Sequence, residues 1–287
     1  MSPLALKGGY IPATSDPNLT GSRRDQRRIP AEEYGRDFFL NPLLEGYEDY
    51  CRGTLSTVKS RQLDMLELRP RIRVLEVGFG RGELLLHCAK QGARVAGVDY
   101  AEAALAIARE TLREFPQADL RLADCTVLPF ADQSFDRVVS GDVIEHLSFD
   151  DGVKALREMH RVTAPGGKIL VHTTPNTFFT RLVYPCAKHV LRRINAEAVK
   201  AIERHLQVMH RYHVFEYNVF TLGRAASAAG LDDCHVWIDP DVMRSGKHWH
   251  TQPFARNPLV RLAAAAGKAR LGRMLFGNDL YLRSVKR

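Results

Sequence analysis

Between residues 71 and 175, short apolar runs alternate with stretches of helical spacing, and the alternation predicts strands and helices in turn. Arg73-Val-Leu-Glu-Val77 is apolar and runs into glycines at 78, 80 and 82, so it reads as a buried strand delivered into a tight turn, with a helix from Glu83 to Lys90 beyond. Arg94-Val-Ala-Gly-Val-Asp99 is a second strand that ends on a carboxylate. Ala101 to Phe115 puts Leu105, Ala108, Leu112 and Phe115 on one face and Glu102, Arg109 and Arg113 on the others, an amphipathic helix closed by Pro116. Asp119 to Asp124 and Ser134 to Asp142 give two more strands. Asp150 to Ala164 repeats Val153, Leu156, Met159 and Val162 at helical spacing, and Pro165-Gly166-Gly167 ends that helix before a strand over Lys168 to Thr174. This order predicts an α/β fold with a doubly wound, mostly parallel sheet, helices on both faces, and ligands at the carboxyl ends of the strands.

The flanks read differently. Residues 1–30 carry Gly, Pro, Ser and the cluster Arg23-Arg24-Asp-Gln-Arg27-Arg28 without apolar periodicity, which predicts a partly ordered tail. Over 31–70 the aromatics Tyr34, Phe38, Phe39, Tyr47 and Tyr50 crowd together, and Tyr47, Cys51, Leu55 and Val58 recur at helical spacing. An N-terminal helical extension follows, its aromatics packing into the core, with Tyr34 or Phe38 lying over a ligand as the second reading. Residues 71–287 form the main domain. Within it, the connection after Thr174 exceeds ordinary loop lengths, so 176–214 should carry its own helices, near Lys188 to Arg204, and act as a lid. Pro258 to Phe276 combines Leu259, Leu262, Leu271, Met274 and Leu275 with four basic residues. Gly267 and Gly272 interrupt it, which favours a packed element and leaves peripheral membrane contact open.

Strand, glycine turn, helix, strand and acid together make a nucleoside-binding unit, with Asp99 placed 21 residues after Gly78, near the offset of about 20 at which a ribose-binding acid stands. The glycines are G-x-G-x-G rather than the dinucleotide G-x-G-x-x-G, and Glu76 would repel a pyrophosphate. A cationic ligand is favoured. Glu76-Val-Gly-Phe-Gly-Arg-Gly82 followed by Gly97-Val-Asp-Tyr100 resembles the first two motifs of the class I, Rossmann-like S-adenosylmethionine-dependent methyltransferases, of the broad ubiquinone-biosynthesis and small-molecule type. Phe135-Asp136 at the start of the fourth strand and the Pro165-Gly166-Gly167 turn resemble further motifs of that family. The resemblance implies S-adenosylmethionine as cofactor, a helix over Arg224 to Ala229, and closing strands over Asp233 to Asp239 and Asp279 to Val285, seven strands in all.

Composition changes this picture little. Of 287 residues, 45% are hydrophobic and 26% charged, as in an ordinary globular chain. No run of about 18 apolar residues exists, and the five cysteines are odd in number and form no C-x-x-C pair, so reduced thiols, a cytoplasmic location, and no signal peptide or membrane span are expected. The net charge of +8 is the sole support for a nucleic-acid substrate, and no nucleic-acid partner is expected. The fourth strand ends Gly141-Asp-Val-Ile-Glu-His146, unlike the Asn/Asp-Pro-Pro-Tyr motif of amino-methylating nucleic-acid enzymes.

Candidate cofactor residues are Glu76, Gly78, Gly80, Asp99, Tyr100, Asp124, Cys125 and Gly141. Asp99 is read as holding the ribose hydroxyls and Tyr100 as flanking the adenine; the resemblance gives Asp124 the adenine amino group. His146, just beyond the fourth strand, is the first candidate for a general base, with His210 and His213 at the end of the lid as further proton acceptors or substrate contacts. A cofactor-packing role for His146 stays open beside it. The histidines lack an H-E-x-x-H or carboxylate-rich pattern, so no metal is expected. The function that follows is methyl transfer to a small-molecule hydroxyl, of a phenol, quinol, sugar or natural product. A nucleic-acid methyltransferase and a non-catalytic S-adenosylmethionine-binding module are the alternatives. Oligomeric state does not follow from these residues.

Overall fold

The computed structural model describes residues 28–42, 44–239, 258 and 270–287. Short helices come first: α1 (Arg36–Phe39), α2 (Tyr47–Cys51) and α3 (Thr57–Met65). The single helix predicted across Tyr47, Cys51, Leu55 and Val58 is broken, because Gly53 takes a φ of 72° and Ser56 starts a new helix by accepting the Lys59 amide. There follow β1 (Arg73–Val77), α4 (Glu83–Lys90), β2 (Arg94–Asp99), α5 (Glu102–Thr111), β3 (Asp119–Leu122), β4 (Phe135–Gly141), α6 (Phe149–Val162) and β5 (Thr163–Thr173). Then come α7 (Tyr184–Ile194), α8 (Ala196–Tyr212), α9 (Val219–Ala229), β6 (Cys234–Asp239), α10 (Arg270–Phe276) and β7 (Asp279–Val285).

The seven strands form one sheet in the order β3-β2-β1-β4-β5-β7-β6. The neighbours from β3 to β5 are parallel, while β7 runs antiparallel to both β5 and β6. Successive residues of the central strands point to opposite faces, so Leu75 and Val138 enter one apolar cluster and Val74 and Val139 the other. The first cluster is completed by Leu156 and Met159 of α6 and Leu222 of α9; the second by Leu84 and Leu85 of α4 and Ala104 and Ala108 of α5. Both faces are therefore covered, as a parallel sheet requires.

Two boundaries differ from the sequence reading. Pro165-Gly166-Gly167 lies inside β5, where the register against β4 shifts between Phe135 and Arg137, Gly166 N–H donates to the Lys286 carbonyl just past β7, and Lys286 N–H donates to the Gly167 carbonyl. The basic stretch from Lys188 to Arg204 is two helices, since Asn195 is extended (φ −155°) and separates α7 from α8. No described helix is long and apolar enough to cross a membrane. The 1–27 part of the N-terminal tail, most of the Pro258–Phe276 segment, and His248 and His250 lie outside the described residues.

Candidate functional site

β1 and β2 deliver the glycine turn and Asp99 to the carboxyl edge of the sheet. Gly78 has φ 78°, and a Cβ there would stand 2.1 Å from Val143 Cγ2, so the backbone passes where no side chain fits. Gly80 has φ 51° and faces only the Phe39 ring, 3.7 Å from an added Cβ. Asp99 is 8% exposed, and both its oxygens are taken by the main chain: Gly80 N–H donates to Oδ2 and Ala101 N–H to Oδ1, each at 3.0 Å. The acid that would meet a ribose also holds the glycine turn in place. Burial raises its pKa against the pull of those amides.

Glu76 is 2% exposed, and its Oε2 has no hydrogen-bond partner. Lys59 of α3 stands 3.8 Å from Oε1 and 3.5 Å from Glu83, yet burial still pushes the Glu76 carboxyl up to about 8. A buried acceptor without a donor, beside bare glycine backbone, fits the ammonium and sulfonium end of S-adenosylmethionine. Arg81 ties this turn to the N-terminal extension: its guanidinium donates to Glu83 and to the carbonyls of Phe39 (3.1 Å) and Glu45 (3.0 Å).

The other sequence candidates fall around this centre. Tyr100 donates its hydroxyl to the Ile29 carbonyl at 3.1 Å and packs edge-on to Tyr34. Asp124 accepts from Thr126 N–H (2.9 Å) and Oγ1 (2.8 Å) and from the Arg28 guanidinium, which leaves its carboxylate well occupied. Cys125 is beside it, its thiol pushed up to about 12 by burial. Gly141 has a packing reason, since a Cβ would meet Gln62 Nε2 of α3 at 2.6 Å.

Past β4 the chain turns sharply. Asp142 takes φ 55°, in the left-handed region a non-glycine residue rarely visits, and its amide donates to the His172 carbonyl at 3.1 Å. Buried His172 lies between Asp142 (3.2 Å) and Asp279 (3.1 Å), and the two acids raise its pKa against the cost of burial. Glu145 is 1% exposed and accepts the Thr173 hydroxyl at 2.7 Å; burial and the neighbouring Asp142 push it well above the usual carboxylate range. His146 Nδ1 lies 2.9 Å from the Tyr34 hydroxyl and 3.2 Å from the Tyr212 carbonyl. Burial, with His213 beside it, pulls His146 down to about 3.

Tyr34 is the hub that joins these parts. It is 5% exposed and packs against Phe38, Tyr100, His146 and Tyr212, bringing the N-terminal segment, the end of β2, the turn after β4 and the end of α8 together. His213 is nearly buried, its ring 5.2 Å from that of His146 and perpendicular to it. His210 is half exposed and stands 3.5 Å from Glu216, as His213 does. Sequence reading therefore missed Lys59, Gln62, His172, Thr173 and the role of Glu145, because each acts through a contact distant in sequence.

Residues 75–171 match a methyltransferase domain family. The demethylmenaquinone methyltransferase of Chlorobaculum parvum is 37% identical over 150 residues, which cover 52% of this chain and 59% of the relative. The 2-phytyl-1,4-naphtoquinone methyltransferase of Thermosynechococcus vestitus is 33% identical over 166 residues, 52% of this chain and 72% of that relative. In solved structures, phosphoethanolamine N-methyltransferase 2 of Haemonchus contortus, in complex with S-adenosyl-L-methionine, shares the fold with a TM-score of 0.56 at 18% identity, over 94% of this chain and 60% of that one. Sheet order, glycine turn, buried acids and these relatives agree: the chain belongs to the class I S-adenosylmethionine-dependent methyltransferases of the ubiquinone/menaquinone-biosynthesis type.

Proposed function

We propose that this protein transfers a methyl group from S-adenosylmethionine to a ring carbon of a small aromatic acceptor of the hydroquinone class. The observation that carries the reading is the adjacency of two chemistries at one sheet edge: Glu76, the glycine turn and Asp99 on β1 and β2, and Tyr34, His146 and His213 beyond β4. When bound, S-adenosylmethionine supplies an electrophilic methyl group on a sulfonium. Glu76 holds its cationic end, Asp99 its ribose hydroxyls, and Gly78 and Gly80 let it lie against bare backbone. The aromatic ring of Tyr34, Phe38, Tyr100 and Tyr212 excludes water, and the 176–214 segment serves as the lid on the acceptor side.

Carbon is preferred over the hydroxyl oxygen on chemical grounds. The relatives are named for demethylmenaquinone and for a 1,4-naphthoquinone, and a methyl placed on oxygen would block return of the hydroquinone to the quinone. His146 and the Tyr34 hydroxyl then orient the acceptor, and no strong base at the methylated atom is required. The test is transfer of isotopically labelled methyl from S-adenosylmethionine to a chemically reduced 1,4-naphthoquinone bearing an isoprenoid chain. Label on a ring carbon, located by fragmentation, is the expected result. Label on oxygen would overturn the carbon assignment, and cofactor binding without transfer to any hydroquinone, catechol or sugar would leave a binding module instead.

A further inference from the structure

We propose that Glu145, His146 and His213 form a divalent-cation site beyond the carboxyl end of β4, open on one side to an oxygen atom of the methyl acceptor. The donor atoms of the three side chains lie within 4.8 Å of one another. In a loaded site of imidazole and carboxylate ligands at about 2.0 to 2.2 Å, neighbouring donors stand about 3 to 3.5 Å apart, so side-chain adjustments of about 1 to 2 Å close the set.

The arrangement is built by main chain, not by chance proximity of mobile groups. Val214 N–H and Phe215 N–H both donate to the Glu145 carbonyl, at 2.8 and 3.1 Å, which staples the segment after α8 onto the Glu145-His146 turn. The side chains are held from behind as metal ligands are. Thr173 Oγ1 donates to one Glu145 oxygen at 2.7 Å. The Tyr212 carbonyl lies 3.2 Å from His146 Nδ1 and can only accept, so that bond places the proton on Nδ1 and the lone pair on Nε2. His213 Nδ1 faces Glu216 Oε1 at 3.5 Å, too far for a hydrogen bond, and both atoms are buried without a hydrogen-bond partner. Among the described residues no ion pair joins Glu145, which is 1% exposed, to a lysine or arginine, and the nearby His172 is itself held between Asp142 and Asp279.

Two imidazoles and one carboxylate suit zinc, manganese, cobalt or iron(II) rather than magnesium or calcium, and three protein ligands leave positions for water and one acceptor oxygen. This role for the cation rests on the methyl-transfer reading. A cation held there would favour the ionised form of an acceptor hydroxyl and so raise electron density at the ring carbon; as the carbon–methyl bond formed and the sulfonium–methyl bond broke to give S-adenosylhomocysteine, the proton displaced from that carbon would pass to solvent.

The experiment takes the full chain, stripped with chelator and desalted, and titrates it with Co²⁺ while following visible d–d absorption, then with Zn²⁺, Mn²⁺ and Mg²⁺ by calorimetry. One saturable ion per chain is expected, weakened about 100-fold or more in His213→Ala and His146→Gln and unchanged in His210→Ala. Melting curves and calorimetry with S-adenosylhomocysteine on the same samples report fold and cofactor pocket separately. Folded wild type that binds no Co²⁺, or ligand variants that bind it as well as wild type, would overturn the site. Loss of S-adenosylhomocysteine binding in wild type would instead overturn the cofactor assignment and leave a positive metal titration standing.

Discussion

Replacing Asp99 by Asn tests its two roles together, the observed one of holding the glycine turn and the proposed one of holding a ribose. Both carboxylate oxygens accept main-chain N–H groups, from Gly80 and Ala101, in a site only 8% exposed. An amide keeps one acceptor and turns an NH₂ group toward the other N–H. One hydrogen bond to an ionised acceptor is lost, worth about 1.5 to 3 kcal/mol, and a buried N–H loses its partner at about 1 to 3 kcal/mol. Removing a buried charge returns part of this. A net destabilisation of about 2 kcal/mol is expected, or about 4 to 8 °C in Tm for a chain of this size class. Affinity for S-adenosylhomocysteine should fall by about 10- to 100-fold, because a charge-assisted bond to the ribose is lost as well. Urea unfolding and calorimetry on wild type, Asp99→Asn and Asp99→Ala measure both. An Asn variant with wild-type Tm and affinity would refute the reasoning, since the oxygens would then be dispensable to turn and ligand alike.

Three further outcomes follow from the same geometry. Gly78→Ala should cost at least about 1 to 2 kcal/mol from its φ of 78° alone, with the overlap on Val143 Cγ2 added, and pairing it with Val143→Ala should recover only the steric part in a thermal melt. Glu76 has a folded pKa of about 8, above its ordinary 4.5, so its contribution to stability is whole below the ordinary value and is lost as pH rises through about 8. Glu76→Gln lacks that titration, so its Tm should gain on wild type from pH 5 to pH 9, and parallel melting profiles would contradict the assignment. Tyr34→Phe removes the hydroxyl 2.9 Å from His146 and should cost about 1 kcal/mol of stability, with turnover falling about 10-fold while cofactor affinity measured by calorimetry is kept.

The residues proposed to hold the cofactor stand out in the sequence because they are contiguous. Glu76, the glycines and Asp99 lie within one strand-turn-helix-strand unit, and the apolar runs that bury β1, β2 and β4 are unambiguous. The residues proposed to meet the acceptor stand out only singly. His146 and His213 stand 67 positions apart, and their meeting depends on the amides of Val214 and Phe215 finding the Glu145 carbonyl, which no periodicity encodes. The aromatic positions 34 and 38 read as packing or as a ligand cover; the structure shows the packing, with Tyr34 buried against Phe38 and its hydroxyl on His146. Errors in helix extent have a common cause. Gly53 and Asn195 each break a stretch whose side-chain spacing continues across them, so the backbone stops where the pattern does not.

β7 is made latest of the seven strands but lies inside the sheet, paired to β5 on one side and β6 on the other. Its first residue, Asp279, is one of the two acids that grip His172 beneath the turn carrying Glu145 and His146. During synthesis, residues 73–173 can emerge and pair β1 to β5, but β5 then offers an open edge until residues 279–285 leave the ribosome. The nascent protein can thus form its glycine turn long before β7 closes the sheet, and until then β5 presents an unpaired strand edge of the kind other strands add to.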